Sequence, residues 1–91
     1  MFWLIQNGDK LASIEEALEH DPGLALIEDK NGDTPLHYAA ACSEADVVKL
    51  LLAYHADVNA LDNKHWTPLD EAGLAQAKDV VRILRENGGH F

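Results

Sequence analysis

Thr34, Pro35 and Leu36 return 33 residues later as Thr67, Pro68 and Leu69. The same shift carries Asp29 onto Asp62, Ala39 onto Ala72, and Val47 and Val48 onto Val80 and Val81. Leu50 and Leu51 fall on Ile83 and Leu84. An internal period of this length is the mark of a stacked array, in which no unit buries its own apolar face and each closes its neighbour's.

The residues within one period predict two helices and a turn. Thr34 and Thr67 are placed to N-cap a helix, and Pro35 and Pro68 then occupy its first position, where a missing N–H costs nothing. Behind them come short, alanine-rich stretches (Ala39, Ala40, Ala41), whose small side chains let neighbouring helices approach. The second helix of each unit carries apolar residues at i, i+1, i+3 and i+4, which makes one buried stripe. Asp46 and Asp79 precede those stripes, where negative charge suits a helix start, and Arg82 and Arg85 lie in a last turn, where positive charge suits its end. Gly88 and Gly89 stop the final helix.

Taken together, "DKNGDTPLHYAAACSEADVVKLLLAYHADVNALD" and "DNKHWTPLDEAGLAQAKDVVRILRENGG" resemble successive ankyrin repeats. The resemblance implies an all-α solenoid of stacked helix-turn-helix units joined by projecting β-turns or short hairpins. It is expected to run through one domain, residues 1–91, as repeats of about 1–28, 29–61 and 62–91. The first is divergent: Phe2 to Asn7 predict a helix, Gly8 and Asp9 a turn, and Leu11, Ile14, Ala17 and Leu18 the apolar face of a second helix. A longer connection follows, with its turn at Pro22 and Gly23.

The resemblance also gives roles to single residues. His37 is expected to bond to the capping threonine and the neighbouring turn, completing the structural motif Thr34, Pro35, Leu36 and His37. In the second copy, Thr67, Pro68, Leu69 and Asp70, an aspartate stands in the histidine's place. His55 and His65 occupy positions where the family has glycine, as do Ser43 and Gln76. His55 is either a tolerated substitution beside a helix end or a pH-sensitive group. His65 is either drift or a contact at a projecting tip.

Composition narrows the function. Residues 1–46 hold ten acids and two bases, and residues 47–91 six and five, for a net charge of −9. Such a surface repels phosphate backbones, so no nucleic acid partner is expected, and a partner with a basic surface suits it better. No apolar run reaches the roughly 18–20 residues of a membrane span, and "MFWLIQNGDK" lacks the basic start of a secretory signal. A cytoplasmic, intracellular protein is therefore expected. Cys42 is the only cysteine, which leaves no intrachain disulfide.

Catalysis finds little support. No P-loop, Gly-rich dinucleotide turn or zinc-binding His pair at helical spacing occurs. His20, His55 and His90 recur every 35 residues. Stacked helices stand about 10 Å apart, too far to share a zinc ion bound at about 2 Å. No metal, no cofactor and no enzymatic activity are expected.

What remains is binding to another protein. The resemblance places its surface on the concave side, at the turn tips (Lys30, Asn31, Asp33, then Asn63, Lys64, His65 and Trp66) and along the first helices (Ala41 and Cys42, then Leu74 and Ala75), bordered by Tyr38. Trp66 is the leading candidate, since tryptophan dominates interface energetics, although an aromatic there also covers its own turn. The alternative is a structural or regulatory piece of a larger assembly or longer ankyrin protein that makes contact through the ends of the stack, with Phe2, Trp3 and Val81 as candidates. The sequence leaves the partner's identity and the oligomeric state open.

Overall fold

The computed structural model describes residues 11–89. The helix expected from Phe2 to Asn7, the turn at Gly8 and Asp9, and His90 lie outside the described residues. Within them there are five α-helices and one 3₁₀ helix: α1 (Leu11–His20), the 3₁₀ helix (Pro22–Leu26), α2 (Pro35–Ala41), α3 (Ala45–Ala53), α4 (Pro68–Leu74) and α5 (Lys78–Glu86). No strand occurs among the described residues. The architecture is an all-α stack in which α2 and α3 form one helical pair and α4 and α5 the next.

The two short first helices begin in the same way. Thr34 accepts a hydrogen bond from His37 N–H at 3.4 Å, and Thr67 one from Asp70 N–H at 3.2 Å. In return the side chain at the third helical position accepts from the threonine N–H, giving a reciprocal capping box in each copy. Pro35 and Pro68 sit buried just inside these caps.

The ends of α2, α3, α4 and α5 share one motif as well. After α2, Glu44 N–H bonds Ala39 O at 2.9 Å and Ser43 N–H bonds Ala40 O at 3.2 Å. The corresponding pairs are Ala56 to Leu51 and His55 to Leu52, Ala77 to Ala72 and Gln76 to Gly73, and Gly89 to Leu84 and Gly88 to Arg85. These are Schellman closures, and each needs a left-handed residue just past the cap. Those residues are Ser43 (φ 59°), His55 (φ 67°), Gln76 (φ 57°) and Gly88 (φ 94°). Absence of glycine at the first three positions therefore leaves the turn type intact and places strain there instead.

The core runs between the pairs. Leu36, Ala39 and Ala40 of α2 are fully buried, as are Leu69 and Ala72 of α4. The alanines allow these helices to lie close together. Val48 and Leu51 of α3 meet Val80, Ile83 and Leu84 of α5 in one continuous core. Each such leucine contributes about 1.5–3 kcal/mol when fully buried. Ile14 and Leu18 anchor α1 to that core, whereas Leu11, expected on the same apolar face, is 41% exposed. The connection after α1 is more ordered than its sequence suggests: Asp21 accepts from Gly23 N–H at 3.1 Å and caps the 3₁₀ helix. Ala25 of that helix is buried in the core.

His55→Gly removes the strain without touching a core contact. Its lower cost at positive φ, offset by the greater freedom of the unfolded chain, is expected to raise stability by up to about 1 kcal/mol. Urea unfolding of the two proteins measures this.

Candidate functional site

The turns before α2 and α4 are two copies of one device. Asp29 Oδ1 accepts from Asn31 N–H at 2.8 Å and Asp33 N–H at 3.0 Å. Asp62 Oδ1 accepts from Lys64 N–H at 2.8 Å and Trp66 N–H at 3.0 Å. The main chain closes each turn again, with Asp29 N–H to Asp33 O at 3.0 Å and Asp62 N–H to Trp66 O at 3.1 Å. Gly32 and His65 both take positive φ at the bend, 78° and 63°. The two turns are joined directly: Asn63 N–H donates to Asn31 O at 2.9 Å, and its side-chain amide to Lys30 O at 3.2 Å. Gly32 is needed twice over, because a Cβ there would come within 2.8 Å of Asn63 Oδ1.

His37 ties the second turn to the first helix. Thr34 N–H donates to its Nδ1 at 3.1 Å, so the ring carries its hydrogen on Nε2 and gives it to Trp66 O at 2.8 Å. The ring is buried, with 1% exposure. Asp70 reproduces the capping bond without the reach to a further turn. Its Oδ2 accepts from Thr67 N–H at 2.9 Å and from the Thr67 hydroxyl at 3.2 Å.

Two hollows lie on this side of the molecule. An open groove of about 540 Å³ is lined by Trp66, Asp70, Gly73 and Leu74. Trp66 is half-buried, and Leu74 is 65% exposed. Lys64 Nζ stands 5.5 Å from the centre of the Trp66 ring, within cation–π range. A smaller hollow of about 250 Å³ is lined by Asp33, His37, Tyr38, Ala41, Lys64 and Glu71. Lys64 thus stands between the two.

The smaller hollow is rich in carboxylates. The Tyr38 hydroxyl donates to Asp29 Oδ2. That bond, with burial, pushes the Tyr38 hydroxyl up to about 12. Burial alone would raise Asp29, but Tyr38 and the N–H groups of Asp33 and Asn31 outweigh it and lower its pKa. Asp62 is likewise lowered: burial opposes this, and the Trp66 N–H, the Asp33 side chain and the Lys64 N–H overcome it. Asp33 moves the other way, to about 6, through burial and then the adjacent Asp62 carboxylate and its charge. Burial and the Asp62 charge also raise Glu71.

The sequence candidates therefore divide. Trp66, Lys64 and Leu74 come together around the groove, and Asp33, Tyr38, Ala41 and Lys64 around the smaller hollow. Lys30, Asn31, Asn63 and His65 lie on the tips and line neither hollow. Cys42 is exposed past the end of α2, and burial followed by the Glu44 charge raises its thiol pKa, which makes it a poor nucleophile. Asp33, read from sequence as a tip residue, is half-buried, because its N–H bonds back to Asp29 and draws it under the next turn. Glu71 escaped the sequence reading, although the 33-residue shift that relates the copies sets it opposite Tyr38.

Asp33, His37 and Asp62 each place one potential metal-binding atom within 4.8 Å of the others. Both His37 nitrogens are already engaged, however, so ligation by His37 would break the link between turn and helix. Two carboxylates then remain, fewer than the six to eight oxygens typical of calcium.

His37→Ala is expected to leave Thr34 N–H and Trp66 O without these partners. Thr34 N–H is then left unpaired, at about 1–3 kcal/mol, whereas Trp66 O keeps the Asp62 N–H and loses one bond worth about 1 kcal/mol, so the loss should be roughly 2–4 kcal/mol. Denaturant unfolding reads the stability, and amide exchange at Trp66 reads the loosened turn.

Comparison with known proteins agrees with this construction. The family model described as ankyrin repeats, in three copies, matches residues 1–91. The chain is 38% identical over 89 residues to the serine/threonine-protein kinase VIK of Arabidopsis thaliana, covering 98% of this chain and 20% of that protein. It is 42% identical over 82 residues to the neurogenic locus Notch protein of Drosophila melanogaster, covering 89% of this chain and 3% of that one. It is 34% identical over 89 residues to the oxysterol-binding protein homolog 2 of Saccharomyces cerevisiae, covering 93% of this chain and 7% of that one. The chain thus spans a fifth or less of these relatives' lengths, and what it shares with such different proteins is the repeat itself. This chain belongs to the ankyrin repeat family.

Proposed function

We propose that the chain is a non-catalytic module that binds a partner protein through the face carrying the Trp66–Leu74 groove. Ankyrin repeats are generally protein–protein interaction modules, and the observation that carries the choice of face is the groove itself. It combines a half-buried tryptophan with a leucine 65% exposed, at the centre of a polar surround of Lys64, Asp70 and Glu71. An apolar centre within a charged rim is the usual anatomy of a recognition surface. The Trp66 backbone is held from two sides, by Asp62 and His37, so little ordering is left for binding to accomplish.

The charge supports a basic partner and argues against nucleic acid. Asp33, Asp62, Asp70 and Glu71 gather near the hollows, and among the described residues Lys64 is the one cationic side chain lining them. A non-catalytic role is supported by the raised Cys42 thiol and by the full engagement of His37. Among the described residues no helix is long and apolar enough to cross a membrane, and we place the protein in the cytoplasm on the character of its surface.

A second reading makes the chain one piece of a larger assembly, joined through the ends of the stack. The much greater length of its relatives favours it. Val81 of α5 is half-buried in the stack, while Phe2 and Trp3 lie outside the described residues.

Affinity capture from a cell lysate with the wild type and with Trp66→Ala and Leu74→Ala variants separates these readings. Each variant is expected to keep its helical signal and to lose the partner at least tenfold, about 1.4 kcal/mol or more. The captured protein should be released by salt in proportion to its exposed charge contacts. A partner held equally by all three proteins would remove the groove from the binding surface.

A further inference from the structure

One contact between the two projecting turns is left incomplete by their hydrogen bonds. Asp33 Oδ1 is buried, and among the described residues it has no hydrogen-bond donor. On the next turn a carboxylate oxygen of Asp62, itself only 7% exposed, lies within 4.8 Å of an Asp33 carboxylate oxygen. Asp62 already accepts two backbone N–H groups at its Oδ1, so it is well supported as an anion. Asp33 has no such support. A buried carboxylate oxygen without a donor costs more than most groups, and two adjacent carboxylates do not both ionise readily. The arrangement is relieved when Asp33 carries a proton and donates it to the neighbouring carboxylate.

We infer that Asp33 and Asp62 share one proton, making the junction between the two turns a pH-sensitive contact that tightens on mild acidification.

The surroundings leave this pair without strong compensation. Asp29 faces Asp33 from its own turn, and it is held as an anion by Tyr38 and two N–H groups. From α2, His37 spends both nitrogens elsewhere and the Tyr38 hydroxyl is given to Asp29. Lys64 of the second turn and Glu71 of α4 face the same hollow with opposite charge. Lys64 leans over the Trp66 ring.

The direction of the effect follows from the shifts. Asp33 holds its proton in the folded chain up to about 6, so its stabilisation is complete below the unfolded carboxylate range and is lost as pH rises through that value. Asp62 is lowered, so its contribution is present above the unfolded range and is lost as pH falls through its folded value. Between the two the pair binds one proton, and the junction is strongest. The process belongs to the folded chain and needs no partner.

Carboxyl-carbon NMR titration of the wild type tests this directly. Asp33 is expected to titrate near 6, and in Asp62→Asn its midpoint is expected to move down. Thermal unfolding supplies the second readout. As pH falls from about 7.5 to about 5 the wild type should gain Tm relative to Asp33→Asn, because the lowered Asp62 stays ionised across this range and groups outside the pair contribute alike to both proteins. An Asp33 midpoint in the ordinary carboxylate range in the wild type, or one unmoved by Asp62→Asn, overturns the inference whether or not Asp33→Asn folds.

Discussion

The bond from the His37 ring to the Trp66 carbonyl oxygen joins three things that sequence alone keeps apart. It links the cap of one helix, the turn of the next unit and the aromatic residue at the proposed binding groove. The ring is fixed from the other side by the Thr34 N–H, so its direction is set before it reaches Trp66. Asp62 holds the same turn through the Trp66 N–H. The Trp66 backbone is therefore determined by residues 29 and four positions away. Packing of α2 on α4 brings these groups within reach, and the buried alanines make that approach close enough. A residue that stabilises the stack and one that positions the proposed contact surface are here the same residue.

Left-handed backbone is the recurrent cost of this design. Each helical hairpin and each projecting turn bends at positive φ, yet Ser43, His55, His65 and Gln76 are not glycine. Four such positions among the described residues are a substantial burden for a domain of this size. They persist because each is closed by paired backbone bonds that a relaxed conformation would break. The strain is thus local and repeated, while the burial that offsets it is continuous through the core. Stability in such a stack depends on neighbours more than on any one unit.

Much of this was legible from the repeated residues. The caps at Thr34 and Thr67, the apolar stripes of α3 and α5 and the stop at Gly88 follow from local chemistry, which a period exposes by stating it twice. The order within Pro22–Leu26 was less visible, because a 3₁₀ helix of five residues leaves no periodicity to count. The groove was partly visible: Trp66, Lys64 and Leu74 are neighbours on a turn and the helix that follows it. Glu71 and the Asp33–Asp62 contact were hidden for another reason. Their meeting depends on one turn lying beneath the next, a distance in the stack that spacing along the chain does not measure. Asp33 looks like a solvated tip residue until the Asp29 carboxylate draws its N–H inward.

Those hidden acids change how the charge of the chain should be understood. A surface of scattered carboxylates serves solubility and needs no further explanation. Here Asp33 and Glu71 are instead pressed into partly buried positions where the charge of Asp62 raises both. Lys64, the cation beside them, lies over Trp66 and so faces the groove as well as the hollow. A cationic side chain brought by a partner would meet unbalanced negative charge in the hollow, while an apolar neighbour on the same segment would reach Trp66 and Leu74. Electrostatics would then favour the encounter and its register, and the tryptophan would supply the greater part of the affinity. The repeated residues build the stack, and the unmatched ones, Trp66, Glu71 and Leu74 in the second copy, give its surface a composition that the first copy lacks.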